Sequence, residues 1–442
     1  MSREMKHSGI EWIGEIPKEW EVGSVKHYCN SIFAGGTPQS NNSDYWDGDI
    51  PWIPSGSCKN EIIISAPKCI TQLGLENSST KLIPSGTTVM AMTGATCSNV
   101  GYVTFDTCMN QSVVAYIENK EKSFSKFLFY LLQGAQEEIL THKTGGAQSG
   151  INVEDCKNII VPFVPLPEQQ KIAEYLDKVC GEVDEMVTLQ ETMIEELKAY
   201  KQSVITEAVT KGLNPNVPMR DSGIDWIGEV PEHWELEPLK FCFGRRSEKN
   251  NPVKTKERLS LSIDKGVTLY AEKTTNLDRF KDDFTQYQLA YPNDIVLNCM
   301  NMIVGAVGIS KYMGCVSPVY YVIYPVKPKI DALYYSYLLN IPTIRGVYYS
   351  LGKGIYAIER GEGRVNTCRL KVSYDNFGRL DIPIPPLKEQ KEITEYIQQK
   401  SSEIDALIAL KQSKIEELKE YKKSVIYEYV TGKKEVVWIQ KQ

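Results

Sequence analysis

This 442-residue sequence has little histidine, no arginine between Arg3 and Arg220, no paired cysteine motif and no long apolar run, and each shortage excludes something. No stretch reaches the ~18 consecutive apolar residues of a membrane span. The opening MSREMKHSGIEW lacks the apolar core of a signal peptide, so neither membrane insertion nor secretion is expected. Four histidines, at 7, 27, 142 and 233, are too few and too scattered for a His/Cys metal cluster. The eleven cysteines form no CxxC pair and read as reduced thiols in a cytoplasm, buried as small hydrophobes. There is no GxxxxGK[ST] loop, no Asp/Asn-Pro-Pro-aromatic element and no supported Ser/His/Asp or Cys/His set, and GEG at 361–363 is too short for a cofactor loop. Catalysis by this chain alone is not expected, and neither is a metal or a cofactor of its own.

What is present is a folded and duplicated chain. Apolar residues make up 42 %, charged residues 24 % and aromatics 10 %, which excludes disorder. The length exceeds the ~250–300 residues at which single cores stop growing, so more than one domain is expected. Residues 5–22, MKHSGIEWIGEIPKEWEV, return at 219–236 as MRDSGIDWIGEVPEHWEL, with 11 of 18 positions identical, including Trp12/Trp226, Pro17/Pro231 and Trp20/Trp234. Residues 165–210 return without a gap at 386–431, shifted by 221, with 23 of 46 identical. The unit is arm, globule and helix, used twice.

The second repeat predicts long helices. With Ile172 at position a of a heptad, Ile172, Val179, Met186, Met193 and Tyr200 fall at a, and Leu176, Val183, Gln190, Leu197 and Val204 at d. In the copy, Ile393, Ile397, Ile404, Leu407, Leu418, Tyr421 and Val425 fill the equivalent seam. Pro167 and Glu168 suit a first turn, and Gly212 and Gly432 lie past the ends. A rod of roughly 66 Å, at ~1.5 Å per residue, cannot bury its stripe alone. Each stripe is expected to pair antiparallel with the other about a pseudo-twofold axis, with polar breaks at Gln190, Lys400, Lys411 and Lys414 fixing register or facing other subunits.

Between arm and helix lie two globules, 23–164 and 237–385, far less alike than the repeats around them. Short β-rich runs at 61–64, 87–92, 100–105, 112–117, 294–297, 305–309 and 319–326 alternate with turn clusters, and helical stretches are expected at 123–139 and 332–341. The fold class read from this pattern is α+β.

These residues resemble the specificity (S) subunit of type I restriction-modification enzymes. The resemblance covers nearly the whole chain and rests on GIEWIGEIPKEW with its copy GIDWIGEVPEHW, on GGTPQSNNSDYWDGDIPWI at 35–53, and on IIVPFVPLPEQQKIAEYL with its copy LDIPIPPLKEQKEITEYI. It implies two globular target recognition domains, 1–164 with arm 1–22 and 213–385 with arm 213–236, each reading half of a split double-stranded DNA sequence. It further implies central helices at 165–212 and 386–433, with a tail at 434–442, that hold the readers apart and dock two methyltransferase (M) subunits and the restriction (R) subunits. S-adenosylmethionine, ATP and Mg2+ would belong to those partners. A rigid spacer between unlike readers suits a bipartite asymmetric site.

Charge bears on this reading region by region. The formal total of −6 argues against a nucleic-acid partner, but the second globule alone carries +7, while the first carries −3, the arms and helices together −11 and the tail +1. The second globule therefore offers Arg245, Arg246, Lys254, Lys256 and Arg258, and Lys353, Arg360 and Arg364, for phosphate and base contact, whereas the first has no arginine for guanine. Its candidates are Thr37, Gln39, Asn41, Asn42 and Ser43; Thr93, Thr96, Ser98 and Asn99; and Lys143, Thr144, Gln148 and Asn152. Turn chemistry or an ordinary solvated loop explains any one of these equally simply, and the tryptophans, Trp46 and Trp52 included, read as packing residues. Two other classes stay open: a coiled-coil scaffold without DNA readout, and an enzyme in its own right.

Overall fold

The computed structural model describes residues 3–143, 149–263, 265–272, 283–355, 359–360, 364–365 and 369–436, with backbone alone at 355, 359–360, 364–365 and 369. Two compact units share the chain, and each takes part of both long helices. The first is Met1–Glu191 with Gln412–Gln442, and the second is Thr192–Lys411.

In the first unit five strands, β1 (Cys29–Ala34), β2 (Glu61–Ile63), β3 (Thr88–Ala91), β4 (Val100–Val103) and β5 (Val113–Glu118), form a sheet in the order β1-β5-β3-β4-β2. All neighbours are antiparallel except β2 with β4. The central strands are apolar on both faces, so alternation gives each face its own core. Met90, Val114 and Tyr116 meet Phe127, Leu128 and Leu131 of the helix Ser125–Gly134, whereas Val89, Ala91, Val113 and Ala115 meet Ile53, Ile63 and Ile83.

The second unit repeats this sheet one strand short. Its strands β6 (Phe243–Arg245), β7 (Ile295–Asn298), β8 (Val307–Ile309) and β9 (Tyr320–Pro325) run in the corresponding order β6-β9-β7-β8. Ile295, Leu297, Tyr321 and Ile323 line one core and Val296 and Val322 the other. The expected strands thus lie within a few residues of their runs. The stretch 123–139 is broken at Ala135 into Ser125–Gly134 and Gln136–Thr141, and a helix at Pro342–Leu351 follows Ala332–Leu338.

The arms bolt each globule to a helix. Trp20 and Trp234, buried to 0 % and 1 % exposure, donate their indole N–H to Glu168 (3.0 Å) and Glu389 (3.1 Å) in the first turn of the long helices. Such burial stabilises by upwards of about 2 kcal/mol per side chain. Next to each glutamate a fully buried glutamine acts as a clamp. Gln169 accepts from Phe124 N and donates to the Lys122 and Val164 carbonyls; Gln390 accepts from Asp331 N and donates to the Lys329 and Pro385 carbonyls, all at 2.8–2.9 Å.

The long helices span Leu166–Lys211 and Leu387–Val430. Inside each unit, half of one runs antiparallel to half of the other. In the first unit Asp184 pairs with Lys422 (2.7 Å) and the Tyr175 and Tyr429 rings meet at 4.5 Å; in the second, Lys201 pairs with Asp405 (2.7 Å) and Lys411 Nζ lies 3.1 Å from Met193 Sδ. From Val183 on, the d positions of the expected seam hold and its a positions move by one residue. Its buried and half-buried line runs Cys180, Val183, Val187, Gln190, Ile194, Leu197, Lys201 and Val204, and 221 residues on Ser401, Ile404, Ile408, Lys411, Ile415, Leu418, Lys422 and Val425. Met186, Tyr200, Leu407 and Tyr421, all placed in the seam by the heptad, are instead 48–57 % exposed. The cause is the starting point. Ile172 and Leu176, like Ile393 and Ile397, bury against globule cores, and a further four-residue step to Cys180 shifts the phase before the helices meet. Lys414 is exposed, and Lys400 pairs with Glu403 on its own helix. Among the described residues no helix is long and apolar enough to cross a membrane.

Candidate nucleic-acid interface

One end of each sheet gathers the candidates that the sequence scatters. In the first unit it is where β1 and β3 finish and β5 begins. Backbone bonds from Gly35 N to Val113 O (3.1 Å), Met92 N to Ser112 O (2.8 Å) and Ile151 N to Met92 O (2.8 Å) draw together residues 35–39, 92–99, 110–112 and 149–152. Only glycine fits at the mouth of this end, since a Cβ on Gly35 would fall 2.0 Å from the Met109 carbonyl. Two tryptophans hold the loop that follows. Trp52, buried, donates to Gly36 O (3.0 Å), and Trp46, edge-on to it at 5.2 Å, donates to Gln39 O (3.3 Å).

With the backbone so fixed, Gln39, Asn41 and Ser43 are exposed, and the Thr37 hydroxyl donates to Gln111. Thr93 and Thr96 are partly exposed on the adjoining loop. Lys143 stands near enough to Cys97 to offset part of the rise that burial gives its thiol pKa. Four candidates serve the loops themselves. Asn42 accepts from Asp44 N and Asn152 from Asp155 N, as caps, Asn99 donates to Cys58 O, and Ser98 is buried at 2 % with φ 73°. Ser98 is therefore corrected from a surface contact to a turn residue. Thr144 and Gln148 lie outside the described residues.

The equivalent end of the second unit is built on the same loops with other side chains. Arg245 closes β6, exposed, with its guanidinium over the rings of Tyr321 (5.1 Å) and Tyr374 (4.9 Å). Arg246, on the opposite face of the chain, donates to both carboxylate oxygens of buried Asp294 at 2.6 and 2.9 Å and lies against Tyr291 and Tyr324. Those hydrogen bonds raise its pKa further, and its charge is taken up by the fold. A two-stranded ribbon completes this end. Its strands β10 (Lys353–Ile355) and β11 (Arg369–Lys371) set Lys353 opposite Lys371, and further out Arg360 is the register partner of Arg364. The side chains of Arg360 and Arg364 lie outside the described residues. Val372 N donates to Cys299 O (3.2 Å) and Tyr321 OH to Val372 O (2.8 Å), which docks the ribbon on the loop after β7, as Ile151 docks on Met92 in the first unit.

Lys254, Lys256 and Arg258 belong to a different layer, beside the strand pair Gln288–Ala290 and Gly314–Val316. There Lys254 pairs with Glu248, Lys256 is exposed, and Arg258 lies over Phe284 at 4.7 Å. Among the described residues no group of three or more His, Cys, Asp or Glu is placed to hold a metal ion. The Gln169 and Gln390 clamps were visible in the sequence only as EQ pairs within the repeat, since a glutamine in a helix start carries no signal of burial.

The first unit holds 21 basic against 29 acidic residues, and the second unit 29 against 27. A family model for the type I restriction modification DNA specificity domain matches residues 17–199 and again 247–420. The specificity subunit of the type I restriction enzyme EcoR124I/EcoR124II of Escherichia coli is 29 % identical over 181 residues, 39 % of this chain and 41 % of that one, so the match spans less than half of that relative. A putative type I restriction enzyme MjaX specificity subunit of Methanocaldococcus jannaschii is 25 % identical over 409 residues, 87 % of this chain and 88 % of that one. A solved chain from work on complex assembly and conformational transition of the type I R-M system superposes with a TM-score of 0.67 at 17 % identity, covering 94 % of this chain and 98 % of that one, a likeness of fold. Matched twice, over both globules and most of both helices, the chain belongs to the family of type I restriction modification DNA specificity domains.

Proposed function

We propose that the chain is the DNA-specificity subunit of a type I restriction-modification complex, acting in the cytoplasm and reading a bipartite, asymmetric duplex target with one sheet end per half-site. The observation that carries this is what repeats and what does not. Sheet order, buried tryptophans, glutamine clamps and helix pairs are shared, whereas the sheet ends present Thr, Gln, Asn and one Lys in one unit and Arg245, Lys353 and Lys371 in the other. Asn and Gln suit adenine, and arginine suits guanine.

The helices supply the docking surface. Their exposed apolar residues come in sets 221 apart, Met186/Leu407, Leu189/Leu410 and Tyr200/Tyr421, each 48–67 % exposed. Every one immediately precedes a seam residue, so all lie on one flank of their helix. By the Asp184–Lys422 register, Met186 comes level with Tyr421 in the first unit, with Leu189 a turn away; by the Lys201–Asp405 register, Leu407 comes level with Tyr200 in the second, with Leu410 a turn away. Two like patches call for two copies of one partner. These are assigned to methyltransferase subunits that use S-adenosylmethionine to methylate adenine, with restriction subunits bringing ATP and Mg2+ chemistry.

The test is selection from randomised duplexes by the chain with its methyltransferase partner at low salt. A two-part motif is expected, and exchanging residues 237–385 for those of another member should change one half only. Selection of no sequence would leave a scaffold without readout, a change in both halves would contradict one reader per half-site, and methylation or cleavage by the isolated chain would make it an enzyme.

A further inference from the structure

We propose that Arg245 reads a guanine in the half-site bound by the second unit, and that the Lys353–Lys371 rung beside it takes the neighbouring phosphates; this rests on the DNA-reading function above and assigns its residues. Two arginines stand side by side at the end of β6 and have opposite fates. Arg246 lies against the rings of Tyr291 and Tyr324 and donates to both carboxylate oxygens of Asp294. Arg245 is held by rings alone, Tyr321 and Tyr374, which themselves meet edge-on at 5.4 Å. No carboxylate among the described residues pairs with Arg245. Rings supply no acceptor in the way a carboxylate does, so the N–H fork of Arg245 is left to a ligand, and that fork is what matches guanine O6 and N7. The rings also restrict the side chain before DNA arrives, so little ordering remains to be met on binding.

The lysines fit the same site. Lys353 and Lys371 face each other across the ribbon, both exposed, with no carboxylate partner among the described residues. Like charges directly opposite weaken a strand pair unless an anion lies between or above them. Lys371 precedes Val372, whose carbonyl accepts from Tyr321, and Tyr374 follows two residues later, so the rung and the arginine platform share one short segment. A two-stranded ribbon is one of the elements that the major groove admits.

The experiment repeats duplex selection with the complete complex of this chain and its methyltransferase subunits, wild type against Arg245→Gln, Lys353→Ala and Lys371→Ala. The second half-site is the one that changes when residues 237–385 are exchanged. It should contain a guanine whose preference falls roughly 5- to 150-fold in Arg245→Gln, with the other positions kept. Each lysine variant should weaken all sequences alike and lower the salt slope by about one. A second half-site without guanine, or the same guanine preference in Arg245→Gln, overturns the assignment. If the whole half-site is lost, thermal unfolding decides. Loss at an unchanged transition temperature overturns the single-base reading; at a lowered one, Arg245→Met, which keeps the apolar stem and no donor, is read instead, and full guanine preference there overturns it. A wild type that selects no motif at all defeats the DNA-reading function rather than this residue.

Discussion

The two units are bolted together alike and charged unlike. The first holds an excess of acidic residues and the second a slight excess of basic ones, yet Trp20 and Trp234, Gln169 and Gln390, and the Lys422–Asp184 and Lys201–Asp405 pairs do the same work in each. Closing the fold and furnishing the sheet end are thereby separated. Interactions that close the units lie at the arm and helix starts, away from the sheet end, so side chains at that end can differ without loss of the scaffold.

The sharpest way to break this comparison is at Asp294, whose pairing with Arg246 has no counterpart in the arginine-free first globule. Asp294→Ala should destabilise the second unit by about 3–5 kcal/mol, because it leaves a cation half-buried without its partner. Chemical denaturation measures it, and a loss under ~1 kcal/mol would make the pair incidental. Next come the clamps. Gln169→Ala and Gln390→Ala should each cost about 2–3 kcal/mol, through stranded backbone groups, and the two values should agree; a large inequality would show that the repeated bolts are not equivalent. Salt dependence sharpens the charge difference. Neutralising Arg245 and Arg246 together should lower the salt slope of DNA binding by less than about one, since Arg246 is already paired and Arg245 meets a base; a drop of one or two would put one or both on phosphates. The smallest effect is at the helix seam, where Lys422→Ala and Lys201→Ala should each cost less than about 1 kcal/mol, because both carboxylates are solvent-exposed. Matching values in unfolding titrations are expected.

Much of the scaffold was legible in the sequence because duplication writes it twice. The helices and the arms followed from repeated spacing, and the sheet strands other than β1 and β6 from β-rich runs between turn clusters. Half of the helix seam did not, because Met186–Val187, Met193–Ile194 and Leu407–Ile408 offer apolar residues in adjacent registers, and a heptad seeded on Ile172 inherits the phase of turns that face a globule. The sheet ends were legible as residues and not as places. Thr37, Thr93 and Lys143, or Arg245 and Lys371, are far apart along the chain and meet only through strand order. The separation of Arg245 from Arg246 needed Asp294, which lies 48 residues downstream and gives no local sign of its partner.

The first unit has a consequence for biosynthesis. It is completed by residues far downstream, where Val425, Ile426, Tyr429 and Val430 enter its core and Tyr427 OH donates to Trp12 O at 2.9 Å. The second unit is one uninterrupted stretch, Thr192–Lys411. A ribosome extending the chain at ~5–20 residues per second therefore releases everything the second unit needs before the first can close, and the N-terminal globule waits roughly 10–50 s for its last helix. The order of emergence from the ribosome is the reverse of the order of completion, so the nascent chain carries an open apolar surface on its first unit until residues 412–430 have emerged.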